Sequence, residues 1–334
     1  MGHGSASLAQ AGALSAGRAG RILLTAMQLS VVVATWNRSR LLGDTLRALA
    51  AQEVPAGLAW EIVVVDNNST DATAQVVDEF AAHAAGASPA VPVRRVLEPE
   101  QGLSRARNRG VREARGAILA FCDDDVLPAP DWVAGIPAAL VRWRADGVGG
   151  RILPRFEGPA PPAWLTGNRR LMRQLALMDW EGSGPLALPL APNPQVWGAN
   201  MAFLRGVFDR AGEFDARRGV SGRRLFRGEE ADLIERALRL GMRIVYDASL
   251  TVHHRIGPDR MRKAYFRRLA FDDGVGEARA AASATRSSAR REALSELRRW
   301  AKCVVLRRPG AFDHELLLRN AIGRLAGSRS ARER

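Results

Sequence analysis

The run Cys122-Asp123-Asp124-Asp125 ends an apolar stretch, Ile118 to Phe121, and sets three carboxylates side by side. Adjacent acids repel one another, so a cation normally offsets them. On extended backbone, residues i and i+2 project the same way. Asp123 and Asp125 therefore offer paired hard oxygens to a Mg2+ or Mn2+ ion bridging a diphosphate, and the alternative is a solvated acidic turn. Asp66 ends a second apolar run, in VVVDNNSTDAT. A carboxylate there accepts the imide N–H of a uracil or thymine ring, whereas Ser69 or Thr70 reads as a helix cap. In RGEEADLIERA, Glu229, Glu230 and Asp232 open a helix whose Leu233, Ile234, Ala237 and Leu238 face a core. Asp232 suits the helix dipole, and Glu230 or Glu229 has the chemistry of a general base. VHHRIGP offers His253 or His254 as an imidazole ligand, or as a plain surface pair. QGLSRARNRG brings glycine and arginines to a helix start, to hold phosphate or to form a solvated face.

Those residues need strand ends to stand on, and from Leu29 the chain supplies them. LSVVVAT, WEIVVVD, VPVRRVL and AILAFCD read as strands, separated by the helical RSRLLGDTLRALAAQ, TDATAQVVDEFAAHAA and GLSRARNRGVREARG. Alternating β and α segments imply right-handed crossovers and a parallel sheet, whose ligands bind beyond the carboxyl ends of the strands. Thr35, Asn37, Asp66 and Asp123 to Asp125 occupy those ends. After Asp131 a helix to about Arg144 and a strand around VGGRILP follow, then a Pro/Trp-rich stretch, 157–194, read as a long lid or acceptor loop. QVWGANMAFLR and MRIVYDA are expected as strands on either side of the EEADLIERALRLG helix. The resulting division is a flexible start at 1–27, a catalytic domain at 28–257, and a basic helical extension at 258–334.

Composition narrows the functional classes. The 334 residues are 47% hydrophobic and 25% charged, enough for a full core and too apolar for a disordered chain. No run of about 18 apolar residues occurs, and the Gly/Ala-rich start lacks the apolar block of a secretory signal. Two isolated cysteines, Cys122 and Cys303, make neither a disulfide framework nor a zinc site, so a cytoplasmic setting is expected. The net charge is +14, and all but two of the basic residues are arginine. It concentrates from Glu277 to Arg334, where 14 basic residues face 6 acidic ones. No nucleic-acid-binding pattern accompanies it, and an anionic membrane surface is the better partner. Leu294, Leu297, Ala301 and Val304 form one amphipathic stripe there, and Leu317, Leu318, Ile322 and Leu325 another, for a membrane or for packing on the catalytic domain.

The pieces SVVVATWNR, EIVVVDNNSTDAT, QGLSRARNRGVREARGAILAFCDDDV, WGANMAFLRGVFDRAGEFD and GEEADLIERALRLGMRIVYDASLTVHH, in this order, resemble the family 2 glycosyltransferases. Together they span roughly two thirds of the chain. The resemblance implies an α/β GT-A fold, a Rossmann-like mixed, mainly parallel sheet flanked by helices. Thr35, Asn37, Asp66, Arg107, Asn108, Asp123 and Asp124 would line the nucleotide-sugar site, with Asp123, Asp125 and His253 on a divalent metal, Mn2+ or Mg2+. Glu230 falls where the family has its catalytic base, normally Asp, and Glu229 stands beside it. Trp197, Gly198, Ala199 and Asn200 would face the acceptor. The implied reaction is inverting transfer from a UDP-, dTDP- or GDP-sugar to a glycan or lipid-linked acceptor, in bacterial polysaccharide or glycolipid assembly. Two other readings remain. A sugar-1-phosphate nucleotidylyltransferase would need a Gly-rich loop after the first strand, where ATWNRSR has no glycine. A non-catalytic carbohydrate- or nucleotide-binding module would have no use for DDD, EE and HH together.

Overall fold

The computed structural model describes residues 27–86, 90–180, 186–188, 196–219, 228–280, 286–306 and 310–330. Residues 1–26, and 181–185 and 189–195 of the Pro/Trp-rich stretch, lie outside this set. The elements are β1 (Leu29–Thr35), α1 (Ser39–Ala50), β2 (Trp60–Asp66), α2 (Thr73–Ala85), β3 (Val93–Leu97), α3 (Leu103–Glu113) and β4 (Ile118–Asp123). Then come β5 (Val126–Pro128), α4 (Trp132–Trp143), β6 (Gly147–Phe156), α5 (Ala163–Thr166), α6 (Arg169–Gln174), β7 (Leu186–Ala187), β8 (Met201–Leu204) and α7 (Arg205–Ala211). The chain continues with α8 (Glu229–Arg239), β9 (Ile244–Ile256), a 3-10 turn at Pro258–Met261, α9 (Lys263–Ala280), α10 (Arg286–Val305) and α11 (Ala311–Ser330).

Chain contacts divide into two compact units. The first takes residues up to Arg155, Ala176–Phe214 and Glu230–Arg255. Among the described residues its sheet has nine strands in the order β3-β2-β1-β4-β8-β6-β9-β5, with β7 on β9. The β3-β2-β1-β4 half is parallel, as the alternation of elements requires, while β8 runs antiparallel to β4 and β6, and β5 to β9. In β2 every residue is buried, the pattern of a strand covered on both faces. Helix α1 buries Leu42, Leu46 and Leu49, one face at helical spacing. Gly110 lets α3 lie directly on β1, because a Cβ there would stand 2.3 Å from Val32 Cγ1.

Parallel register then fixes which side chains share an edge. Thr35 pairs with Asp66, and Ala34 with Asp123, so the polar ends of three strands align. Two elements differ from the sequence reading. Trp197 to Asn200 form a turn before β8, closed by Asn200 N donating to Trp197 O at 2.9 Å, rather than the start of that strand. β9 runs on for 13 residues from MRIVYDA through both histidines, held by the unforeseen β5.

The second unit comprises Phe156–Leu175, Asp215–Glu229 and Ile256–Arg334, so it is more than the C-terminal helices. Part of the stretch read as a lid is helical in it: α5 begins directly after Pro161 and Pro162, and prolines are tolerated just before a first turn. Trp164 packs edge-on to Phe266 and Phe312, and Asn168 Nδ2 donates to Asp313 Oδ1 at 3.1 Å. Helices α9 and α11 cross with backbones nearly touching. A Cβ at Gly274 would lie 2.0 Å from Asn320 O, and one at Gly323 2.1 Å from Phe271 O. The buried face of α11 is thus Leu316, Ala321, Gly323 and Gly327, while Ile322 of the expected stripe is exposed.

At the amino-terminal edge of the sheet a carboxylate is buried without a metal-like role. Glu61 Oε1 accepts from Ser30 Oγ at 2.7 Å and Arg115 N at 2.8 Å, and Oε2 from Arg94 Nε at 3.0 Å. Burial alone pushes this carboxyl up, but the hydrogen bonds from Ser30, Arg115 and Arg94 outweigh it and hold the group below its usual 4.5. The depressed value contributes stability that is complete above pH 4.5 and is lost as pH falls through the lower folded-state value. Glu61→Ala strands buried donors and is expected to cost about 3–5 kcal/mol in urea unfolding at pH 7. Glu61→Gln should also flatten the acid limb of the stability curve, and an unchanged limb would refute the assignment.

Candidate active site

Two loops at the carboxyl edge are locked together by one asparagine. Asn37 adopts a left-handed backbone, φ 52°, which asparagine tolerates better than most residues. Its Oδ1 accepts from Thr70 N at 2.7 Å and Asp71 N at 3.3 Å, and its own N–H donates to Ser69 Oγ at 3.0 Å. Asp66, buried, accepts from Ser69 N at 2.9 Å through Oδ1, while Arg95 Nη1 stands 3.5 Å from Oδ2. Asn67 ties in the loop before α3, accepting from Gly102 N at 2.7 Å and donating to Glu98 O at 3.0 Å.

The three aspartates differ in surroundings, and two of them share a partner. Asp124 is buried and inward-facing, with Oδ2 accepting from Thr35 Oγ1 at 2.8 Å. A single nitrogen, Arg38 Nη1, bridges Asp124 Oδ1 at 2.9 Å and Asp125 Oδ2 at 3.0 Å. His254 Nε2 lies 3.3 Å from Asp125 Oδ1. Burial, reinforced by the neighbouring Asp125 charge, pushes the Asp124 carboxyl up to about 6 against the pull of Arg38 and Thr35. The carboxylates in turn hold Arg38 firmly protonated. Asp123 is the open member of the run, its side chain 31% exposed, and it pairs with the buried Arg107 at 3.0 Å. Arg107 rests over the Phe214 ring, whose centroid is 5.9 Å away, and Phe214 belongs to a cluster with Phe121 and Phe208.

Several residues expected to touch ligands also make defined contacts within the fold. Asn108 grips the Phe214 backbone in both directions, accepting from its N–H at 2.9 Å and donating to its carbonyl at 2.8 Å. Gly198 is small because the Arg107 guanidinium lies against it, 2.2 Å from where a Cβ would be. Ala199 and Asn200 are buried, and Asn200 accepts from Trp132 Nε1 at 2.8 Å while donating to Leu250 O at 2.8 Å. Only Trp197 of this quartet keeps partial exposure. His254, not His253, faces Asp125, since β5 pairs Val126 with His254 and alternate strand residues point to opposite faces. Glu229 and Glu230 are both buried at the start of α8, and Asp232 pairs with Arg236 at 3.0 Å. Arg236 also donates to Glu213 O at 2.8 Å, which anchors that helix to the segment after α7. Sequence reasoning missed Arg38, because nothing ranks one arginine in a chain whose positive charge is nearly all arginine.

The donor chemistry fits a divalent ion. Asp123 and Asp125 present carboxylate oxygens and His254 an imidazole nitrogen, a set that suits Mn2+. Among the described residues no three acidic, histidine or cysteine side chains converge on one point. If Gly198 is a support for Arg107, Gly198→Ala is expected to cost about 1–3 kcal/mol in urea unfolding, the usual range for overpacking. A residue facing an acceptor would leave the unfolding midpoint unchanged.

A family model for glycosyl transferase family 2 matches residues 30–210, just over half of the chain. The glucosyl-dolichyl phosphate glucuronosyltransferase of Haloferax volcanii is 25% identical over 240 residues, covering 69% of this chain and 70% of that protein. Glycosyltransferase AglE of the same organism is 31% identical over 126 residues, 37% of this chain and only 39% of AglE. Among solved structures, the mannosyltransferase PcManGT from Pyrobaculum calidifontis, in complex with GDP-Man and Mn2+, superposes with a TM-score of 0.54 at 21% identity. That likeness covers 98% of this chain and 85% of the other, and it concerns the fold. Since the matched region holds β1 through β8 and with them the whole aspartate edge, the chain belongs to glycosyltransferase family 2 and is a glycosyltransferase of the GT-A fold.

Proposed function

We propose that the enzyme transfers a sugar, with inversion, from a nucleoside-diphosphate sugar to an acceptor hydroxyl. The observation that carries this reading is the alignment of Thr35, Asp66 and the Asp123–Asp125 run at the carboxyl edge of one parallel sheet, where such sheets bind ligands. Asp66, at the end of β2, would accept the imide N–H of a pyrimidine base. A divalent ion on Asp123 and Asp125, with His254 beside it, would supply positive charge to the departing diphosphate. Glu230 takes the proton of the acceptor hydroxyl, whose oxygen forms its bond to the anomeric carbon as the bond to the diphosphate oxygen breaks. One in-line displacement inverts that carbon. PcManGT carries GDP-Man and Mn2+, which supports donor and metal of these classes. The donor is a UDP-, dTDP- or GDP-sugar and the acceptor a glycan or lipid-linked glycan, in polysaccharide or glycolipid assembly.

Incubation with a panel of such donors, Mn2+ or Mg2+ and membrane extract should release one nucleoside diphosphate. Asp125→Asn is expected to abolish release, and Glu230→Gln to slow it about 10²- to 10⁴-fold with little change in donor affinity, the usual contribution of a general base. Release indifferent to both substitutions would sink the reading.

We also propose a peripheral position on the cytoplasmic membrane, a reading that α10 supports. No helix among the described residues is long and apolar enough to cross a membrane. Leu294, Leu297 and Val304 of α10 are nevertheless exposed, Val305 to 78%, and exposed Arg290, Arg291, Arg298 and Lys302 flank them. Apolar side chains rimmed by cations suit the headgroup region of an anionic bilayer. The protein should therefore float with vesicles containing phosphatidylglycerol and stay down with neutral ones. Leu294→Gln with Leu297→Gln should reduce flotation, and equal behaviour on both lipids would argue against membrane contact.

A further inference from the structure

We propose that Arg38 is the resident counter-cation of the aspartate run and is displaced when a divalent ion enters together with a nucleoside diphosphate, an inference that rests on the donor reading above. The geometry is specific. One guanidinium nitrogen bridges Asp124 and Asp125 at 2.9 and 3.0 Å, in the position that neutralises both carboxylates. The two aspartate side chains are 6% exposed, whereas that of Arg38 is 40% exposed. The guanidinium therefore covers the acids from the solvent side, and an ion approaching Asp125 from solvent meets it first.

The remaining contacts say which part moves. Asp124 is held from behind by Thr35, and Asp125 faces His254 on its other oxygen. The backbone on either side of Arg38 is pinned, through Asn37 to Ser69 and Thr70 and through Ser39 N to Asp71 Oδ2 at 3.0 Å. Only the arginine side chain, long and partly in water, is free to leave without unmaking the loop. A free divalent ion would take its place and strand the guanidinium without a partner. A nucleoside diphosphate arriving with the ion brings phosphate oxygens, which match the planar fork of arginine. The ion and the nucleotide thus gain more together than separately, and by linkage each raises the affinity of the other by the same factor.

Mn2+ binding to the full chain, followed by electron paramagnetic resonance of the free ion at pH 8 with and without UDP or GDP, tests this without turnover. In the wild type, the effective nucleotide should tighten Mn2+ binding at least about tenfold, within the span usual for linked sites. Arg38→Gln removes the charge but keeps a hydrogen-bond donor. It should bind Mn2+ alone about tenfold more tightly than the wild type and lose most of the nucleotide effect. Arg38→Ala, checked by its thermal midpoint, should do the same, and either variant that folds decides the matter. Mn2+ affinity without nucleotide that is unchanged or weaker in the folded variant overturns the proposal. A wild type that binds Mn2+ equally with and without nucleotide also overturns it while leaving the donor reading intact. No Mn2+ uptake by the wild type with either nucleotide would bring down both.

Discussion

Three carboxylates on consecutive residues at the end of a buried strand are the constraint around which the first unit is arranged. Like charges about 4 Å apart repel by roughly 4 kcal/mol at an effective dielectric of 20, so they persist only where each has its own compensation. Asp123 has Arg107, Asp124 has Thr35 and Arg38, and Asp125 has Arg38 and His254. Burial sets Asp123 apart, its side chain 31% exposed against 6% for Asp124 and for Asp125. The inward Asp124 acts as a tie between β1 and the β4 end, and its raised proton affinity marks how far it stands from water.

Much of the surrounding structure exists to aim these groups. The Arg107 guanidinium that pairs with Asp123 lies against Gly198 and over the Phe214 ring. Phe214 in turn is held by both ends of the Asn108 amide. The opposite edge of the sheet has its own buried carboxylate, Glu61, fully hydrogen-bonded and therefore stabilising in place. Buried acids at the two edges thus differ in kind. Glu61 is held by Ser30, the Arg115 backbone and Arg94, whereas in the run at Asp123 to Asp125 two neighbouring carboxylates share the one Arg38 guanidinium.

The second unit follows another principle. Its helices α9 and α11 pack through glycines rather than through interlocking large side chains, which brings backbones together and frees apolar residues to point elsewhere. Ions and rings then fasten the bundle: Lys263 lies over Trp164 and Phe312, and Arg267 Nε pairs with Glu315 at 2.7 Å. The apolar face of α10 is left in water, an arrangement that a bilayer would relieve.

The sequence by itself determined the alternation of strands and helices from Leu29 to Asp123, and with it the edge at which Thr35, Asp66 and the aspartates stand. Both follow from local periodicity and from a topological rule that needs no coordinates. The helical start at Glu229 was legible for the same reason. What only the tertiary structure decided involves partners far apart in the chain. The choice of His254 over His253 depends on pairing with β5, a three-residue strand too short to show a period. The bridging by Arg38 of acids 86 and 87 positions away, and the partners that Asn108, Gly198 and Asn200 find within the fold, depend on which side chains meet across the sheet. Periodicity reports the face on which a residue lies, but contact between faces is a property of the folded chain, and no local pattern encodes it.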